Sequence, residues 1–219
     1  MCGIIGYVGP QAAKDVVTSG LKRMEYRGYD SAGVAVISDG AIAIRKKAGK
    51  IANLIELLAA DPLPETGIGI GHTRWATHGG PTDGNAHPHL SANGRVALIH
   101  NGIIENFAAL RQELEAQGVA FASETDTEVA AHLLGLEVAS GAGLAQAMRA
   151  VCQRLEGAFT LVAIDNAHPE RLVAARRNSP LVLGVGQGEH FVASDVAAFI
   201  EFTRDAVELG QDQVVEVTA

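Results

Sequence analysis

Apolar residues follow two rhythms along this 219-residue chain. Residues 3–8 are nearly all apolar, which predicts a buried strand. Residues 11–24 place Val16, Val17, Leu21 and Met24 on one face, the spacing of a helix. Runs at 31–37 and 41–45 flank Ser38-Asp39-Gly40 and predict a hairpin. A short helix over 51–60 is stopped by Pro62 and Pro64. Strands are expected over 68–73 and 95–100, on either side of a long polar stretch.

The second half begins with an amphipathic helix over 104–117, striped by Phe107, Leu110 and Leu114 and stopped by Gly118. Thr125-x-x-Glu128 has the form of a capping box and opens a helix over 126–139. A third helix covers 144–155, and strands follow at 159–164, 172–175, 181–184, 190–193 and 214–217. Strands cluster as hairpins at both ends, with helices grouped between, unlike the regular alternation of a parallel sheet. The pattern predicts an α+β domain with antiparallel sheets and helices packed outside them. The stretch 75–94 carries Gly79, Gly80, Gly84 and Gly94 and little apolar patterning. A loop of that length in a compact domain is usually functional.

Composition narrows the function. Hydrophobic residues make up 47% of the chain and charged residues 19%, enough for a sizeable core. A net charge of −8 argues against nucleic acid or an anionic membrane as the main partner. No apolar run approaches the ~20 residues that span a bilayer. No secretory signal opens the chain. Two cysteines, Cys2 and Cys152, make no disulfide framework, so a reducing, cytoplasmic setting is expected. Cys152 lies in a helix-like run and reads as a buried small hydrophobe.

Candidate chemistry starts at Cys2. If Met1 is removed, the thiol and the free α-amine belong to one residue, so nucleophile and base come together without a triad. A small residue starting a strand explains the same position equally well. Arg74 ends an apolar strand, where a guanidinium suits a carboxylate bidentately or a surface ion pair. Asn101-Gly102 stands between an expected strand and helix. Its side chain and the next N–H suit a developing oxyanion, and the pair is also an ordinary turn. Asp126 opens a helix, where it complements the dipole or binds an ammonium. His87-Pro88-His89 matches no zinc spacing, so no metal is expected.

Taken together, the motifs say more. Met1-Cys2-Gly3-Ile4, the run from Arg27 through Gly28, Tyr29, Asp30, Ser31 and Ala32 to Gly33, and His72-Thr73-Arg74-Trp75-Ala76-Thr77-His78-Gly79 occur in order. Asn85-Ala86-His87-Pro88-His89, His100-Asn101-Gly102-Ile103-Ile104-Glu105-Asn106 and Ser123-Glu124-Thr125-Asp126-Thr127-Glu128 follow. The set closely resembles the glutaminase domain of the glutamine–fructose-6-phosphate aminotransferase family, over nearly the whole chain. The Cys-Gly-Ile start is shared by all class II glutamine amidotransferases. The resemblance implies an N-terminal nucleophile hydrolase fold, a four-layer αββα sandwich with two antiparallel sheets, over residues 2–219.

It also implies roles. Cys2 would be the nucleophile and its own α-amine the base, with the Asn101 side chain and the Gly102 N–H as oxyanion hole. Arg74 would hold the α-carboxylate of L-glutamine and Asp126 its α-ammonium. Thr77 and His78 would line the same pocket, and Trp75 would sit on a mobile loop above it. No cofactor is implied. Family members continue into sugar-isomerase modules, which hold the fructose-6-phosphate site and are absent from this chain. A homodimer of the full-length form is compatible with the resemblance. Were Met1 retained, the Cys2 nitrogen would be a peptide nitrogen, and a silent glutamine-binding or regulatory module would be expected instead.

Overall fold

The computed structural model describes residues 2–27 and 30–219, Arg27 by its backbone alone. Met1, Gly28 and Tyr29, which carry part of the motifs above, lie outside the described residues. The elements are β1 (Gly3–Val8), α1 (Ala13–Arg23), β2 (Ser31–Ser38), β3 (Ala41–Ala48), α2 (Ile51–Ala60), β4 (Ile68–Arg74), β5 (His89–Leu90) and β6 (Val96–Ile104). They continue with α3 (Phe107–Ala116), α4 (Asp126–Ala139), α5 (Leu144–Arg154), β7 (Gly157–Asp165), β8 (Arg171–Arg177), β9 (Val182–Val185), β10 (His190–Ala193), β11 (Ala206–Glu208) and β12 (Val214–Thr218).

The strands form two antiparallel sheets. One is ordered β11-β9-β10-β1-β4-β2-β3 and the other β12-β8-β7-β6-β5. Side-chain alternation explains the layering. On β1, Ile4 and Val8 face the second sheet, while Ile5 and Tyr7 face α1. On β6, Ala97 and Ile99 meet the first sheet, while Val96 and Leu98 pack under α3, α4 and α5. Three apolar cores result, one between the sheets and one under each helical layer. The expected αββα sandwich is therefore the observed fold. Strands buried on both faces account for the continuous apolar runs in the sequence.

Several boundaries differ from the sequence expectation. The β2–β3 hairpin turns through Asp39 and Gly40, with φ of 51° and 72°, as its Asp-Gly pair requires. Strand β6 does not stop at His100 but continues to Ile104, paired along its length with β7. The helix expected from residue 104 therefore begins at Phe107. Apolar Ile103 and Ile104 fit either element, and pairing with β7 decided between them. The polar stretch 75–94 contains the short β5, and β11 follows a segment with no strand pattern. Among the described residues, no helix is long and apolar enough to cross a membrane.

Candidate active site

The alternation that layers the sheets also places the reactive groups. Counting in twos from Ile68 and Ile70, which lie in the core between the sheets, brings His72 and Arg74 to the same face of β4. Counting from Ala97 and Ile99 brings Asn101 to the facing side of β6. Cys2 precedes β1, whose Gly3 pairs with Thr73 of β4. One end of the layer between the sheets therefore collects Cys2, His72, Arg74 and Asn101. They line a cavity of about 350 Å³, together with Trp75, Thr77, His100, Gly102 and Asp126.

Cys2 is held from both sides of its peptide. The Trp75 backbone N–H points at Sγ over 3.0 Å, and the Cys2 carbonyl accepts a hydrogen bond from Asn101 Nδ2 at 3.1 Å. Burial pushes the thiol pKa up, against the opposing pull of the Trp75 N–H. Burial thus favours the protonated thiol, whose attack on an electrophile needs a base.

Arg74 is 3% exposed, so its charge is not an ordinary surface charge. Its guanidinium donates to the carbonyls of Gly80 at 3.1 Å and Gly79 at 2.8 Å, and to that of His78. Its nearest carboxylate is Asp30, 4.0 Å away. Asp30 in turn accepts from the backbone N–H of Ala76. Arg74 and Asp30 thereby shape the segment that presents the Trp75 N–H to Cys2. The Trp75 side chain itself is exposed.

Asn101 and Gly102 lie within β6 rather than at a turn. Gly102 takes φ of 119°, and a Cβ there would run into the Ala158 carbonyl, so only glycine fits. Asp126 is the first residue of α4 and is buried. Its Oδ2 accepts from the Ile104 N–H at 2.9 Å, and the Nδ1 atoms of His78 and His100 stand 3.9 and 3.8 Å from the carboxylate. His78 reaches the site through that neighbour, its ring resting on Phe107, while Thr77 lies on the cavity wall.

Cavity walls missed in the sequence are Ile103, Ala158 and the β8–β9 loop residues Asn178, Ser179 and Pro180. Asn178 has φ of 53°, an uncommon conformation for a residue other than glycine. Asn-Ser-Pro reads in the sequence as a turn and nothing more. Histidines 72, 87, 89 and 100 are also buried here, with the rings of His72 and His87 4.2 Å apart. Among the described residues, no group of three or more His, Cys, Asp or Glu is placed to hold a metal ion. Cys152 is only half-buried, on α5, and is not among the residues that line this cavity.

Residues 72–201 match the family described as glutamine amidotransferase domain. The chain is 69% identical, over 99% of its length, to glutamine–fructose-6-phosphate aminotransferase (isomerizing) of Streptomyces coelicolor, of which it covers 35%. The protein of the same name in Mycobacterium tuberculosis is 58% identical over all of this chain, which covers 36% of it. The chain thus spans about a third of the length of these curated relatives. Among solved structures, the glutamine phosphoribosylpyrophosphate amidotransferase of B. subtilis is similar at a TM-score of 0.84 and 27% identity. That match covers 99% of this chain and 47% of the other.

Proposed function

Because the chain belongs to the glutamine amidotransferase domain family, we propose that residues 2–219 form a glutaminase domain that hydrolyses L-glutamine to glutamate and ammonia through a thioester on Cys2. The observation that carries this reading is one cavity walled by a thiol, an amide donor, a buried cation and a buried anion: Cys2, Asn101, Arg74 and Asp126. Glutamine is a zwitterion with a terminal amide and needs that set. Arg74 binds the α-carboxylate and Asp126 the α-ammonium, with Thr77 and His78 beside them and Trp75 over the cavity mouth.

With Met1 removed, the α-amine of Cys2 takes the thiol proton as Sγ attacks the side-chain amide carbon of glutamine. The negative charge that develops on oxygen is met by Asn101 Nδ2 and the Gly102 N–H. Collapse breaks the C–N bond, the amine returns its proton to the leaving nitrogen, and ammonia departs. Water then attacks the thioester, giving one proton to the amine. The C–S bond breaks, the amine hands that proton to the departing sulfur to restore the Cys2 thiol, and glutamate leaves. An α-amine titrates near ~7.7–8.0, so a useful fraction is free base at neutral pH. Burial of the sulfur favours its protonated form, which gives that base its task.

In the whole protein, the ammonia would be delivered to fructose-6-phosphate on sugar-isomerase modules outside these residues, yielding glucosamine-6-phosphate. The names and the greater length of the relatives support this step. A reducing, cytoplasmic location suits a reactive thiol.

Ammonia release is measured with glutamine and, as control, asparagine. Protein shown by intact mass to begin at Cys2 is expected to hydrolyse glutamine, with kcat/KM rising through an apparent pKa between ~6 and 8. Protein retaining Met1 or carrying an N-terminal tag is expected to be inactive. Equal rates from blocked and processed protein would refute the amine as base. Full activity in folded Cys2→Ala protein, where a loss of at least roughly 10³-fold is expected, would refute the thioester.

A further inference from the structure

The Asn101 side-chain amide makes two hydrogen bonds, and together they determine the state of a buried histidine. Nδ2 faces the Cys2 carbonyl at 3.1 Å, and Oδ1 faces His72 Nε2 at 2.8 Å. A carbonyl oxygen only accepts, so the amide cannot be turned over without setting two acceptors against each other. Oδ1 must therefore meet His72, and His72 must carry its proton on Nε2 to donate to it. We propose that His72, in its neutral Nε2–H tautomer, is a positioning residue that locks the Asn101 amide with Nδ2 toward the reacting carbonyl. This rests on Asn101 serving as oxyanion donor.

The arrangement follows from the fold. His72 and Asn101 come from different sheets and meet across the layer between them. His72 is wholly buried, with the His87 ring packed 4.2 Å from its own. Burial, with smaller contributions from His100 and Arg74, pushes its pKa down to about 3 against the opposing hydrogen bond to Asn101, so the ring is uncharged. A neutral imidazole with one proton has a single donor to place, and the Asn101 oxygen receives it. Nδ2 has two hydrogens. One goes to the Cys2 carbonyl, which leaves the other for an oxyanion in the cavity. Without His72, Oδ1 loses its donor and the amide is anchored by the Cys2 carbonyl alone, so its plane can swing and Nδ2 is aimed less firmly at the developing charge. In the sequence His72 stands only at the head of the motif that runs to Gly79, with no role of its own.

Two measurements on the chain beginning at Cys2 decide the matter. Isotope-edited NMR of the backbone-assigned His72 imidazole is expected to show the Nε2–H tautomer, and an Nδ1–H tautomer overturns the proposal. The second is a double-mutant cycle in glutaminase kinetics. His72→Leu is expected to lower kcat by roughly 10- to 10²-fold with KM changed by less than about 2-fold, as for a weakened oxyanion donor. In an Asn101→Ala background, the same change is expected to cost less than about 3-fold, because the interaction it acts through is gone. His72→Gln, whose amide N–H can reach the same oxygen, is expected to restore much of kcat. Multiplicative losses, or a loss confined to KM, overturn the proposal. An Asn101→Ala protein with normal kcat instead removes the oxyanion reading itself. Should His72→Leu fail to fold, the tautomer and His72→Gln still decide: a wrong tautomer, or a folded His72→Gln no better than Asn101→Ala, overturns the inference.

Discussion

Arg74 is a buried side chain with a structural task and, in the proposed reaction, a second one. Its guanidinium already holds the carbonyls of His78, Gly79 and Gly80, and it also lines the cavity where a substrate carboxylate would sit. Truncation would leave that carboxylate unpaired in a closed site, at a cost of about 2–5 kcal/mol in binding. Arg74→Ala is therefore expected to raise KM for glutamine far more than it lowers kcat. Arg74→Lys should recover only part, because an ammonium cannot span the planar fork of contacts that the guanidinium makes. Steady-state kinetics on both variants check this, and an unchanged KM in both would remove Arg74 from substrate binding.

At the scale of elements, α4 delivers Asp126, and its first turn is held by an unusual cap. Thr125 Oγ1 accepts from the Glu128 N–H at 3.3 Å, as the capping box predicts. The returning Glu128 carboxylate does not bond the Thr125 N–H. It accepts instead from the N–H groups of Ala122 and Ser123 at 2.8 and 2.7 Å, tying the incoming chain to the helix. Burial works against the charge of Glu128, but nearby His132 and these hydrogen bonds outweigh it and hold the carboxyl below its usual range. Thr125 Oγ1 also meets His89 Nε2 at 3.0 Å. Thr125→Ala removes the cap and a buried partner together. It is expected to lower stability by roughly 1–3 kcal/mol in urea unfolding, with Thr125→Ser close to wild type. A neutral Thr125→Ala would mean the Glu128 bonds alone secure the turn.

Across the whole molecule, the sandwich buries histidines 72, 87, 89 and 100 beside the cavity, where burial depresses the pKa of each. The unfolded chain takes up protons on these rings from about pH 6.5 downward, whereas folded His72 does so only near pH 3. Between those values the unfolded state binds more protons, so stability is full above pH 6.5 and falls as the pH drops. Each such ring contributes at most about 1.4 kcal/mol per pH unit. The urea midpoint is expected to decline steadily from pH 7 to pH 4.5. A flat profile would mean that these rings are already protonated in the fold or have access to water.

The sequence by itself determined the elements with strong local rules. The Asp39-Gly40 turn, the Thr125 cap and the buried runs were legible because turns and caps act over a few residues, whereas residue type left Cys2, Arg74, Asn101 and Asp126 open between ordinary and reactive roles until the motifs were taken together. Tertiary structure decided the rest. Pairing with β7 carried β6 past His100 to Ile104, which moved Asn101-Gly102 from a turn into a strand. The β8–β9 loop entered the cavity wall from more than seventy positions beyond Asn101, a proximity no local pattern records. His72 met Asn101 only because alternation on two separate sheets turned both inward. Period-two alternation is written in each strand, but which strand faces which is settled by burying all three cores at once.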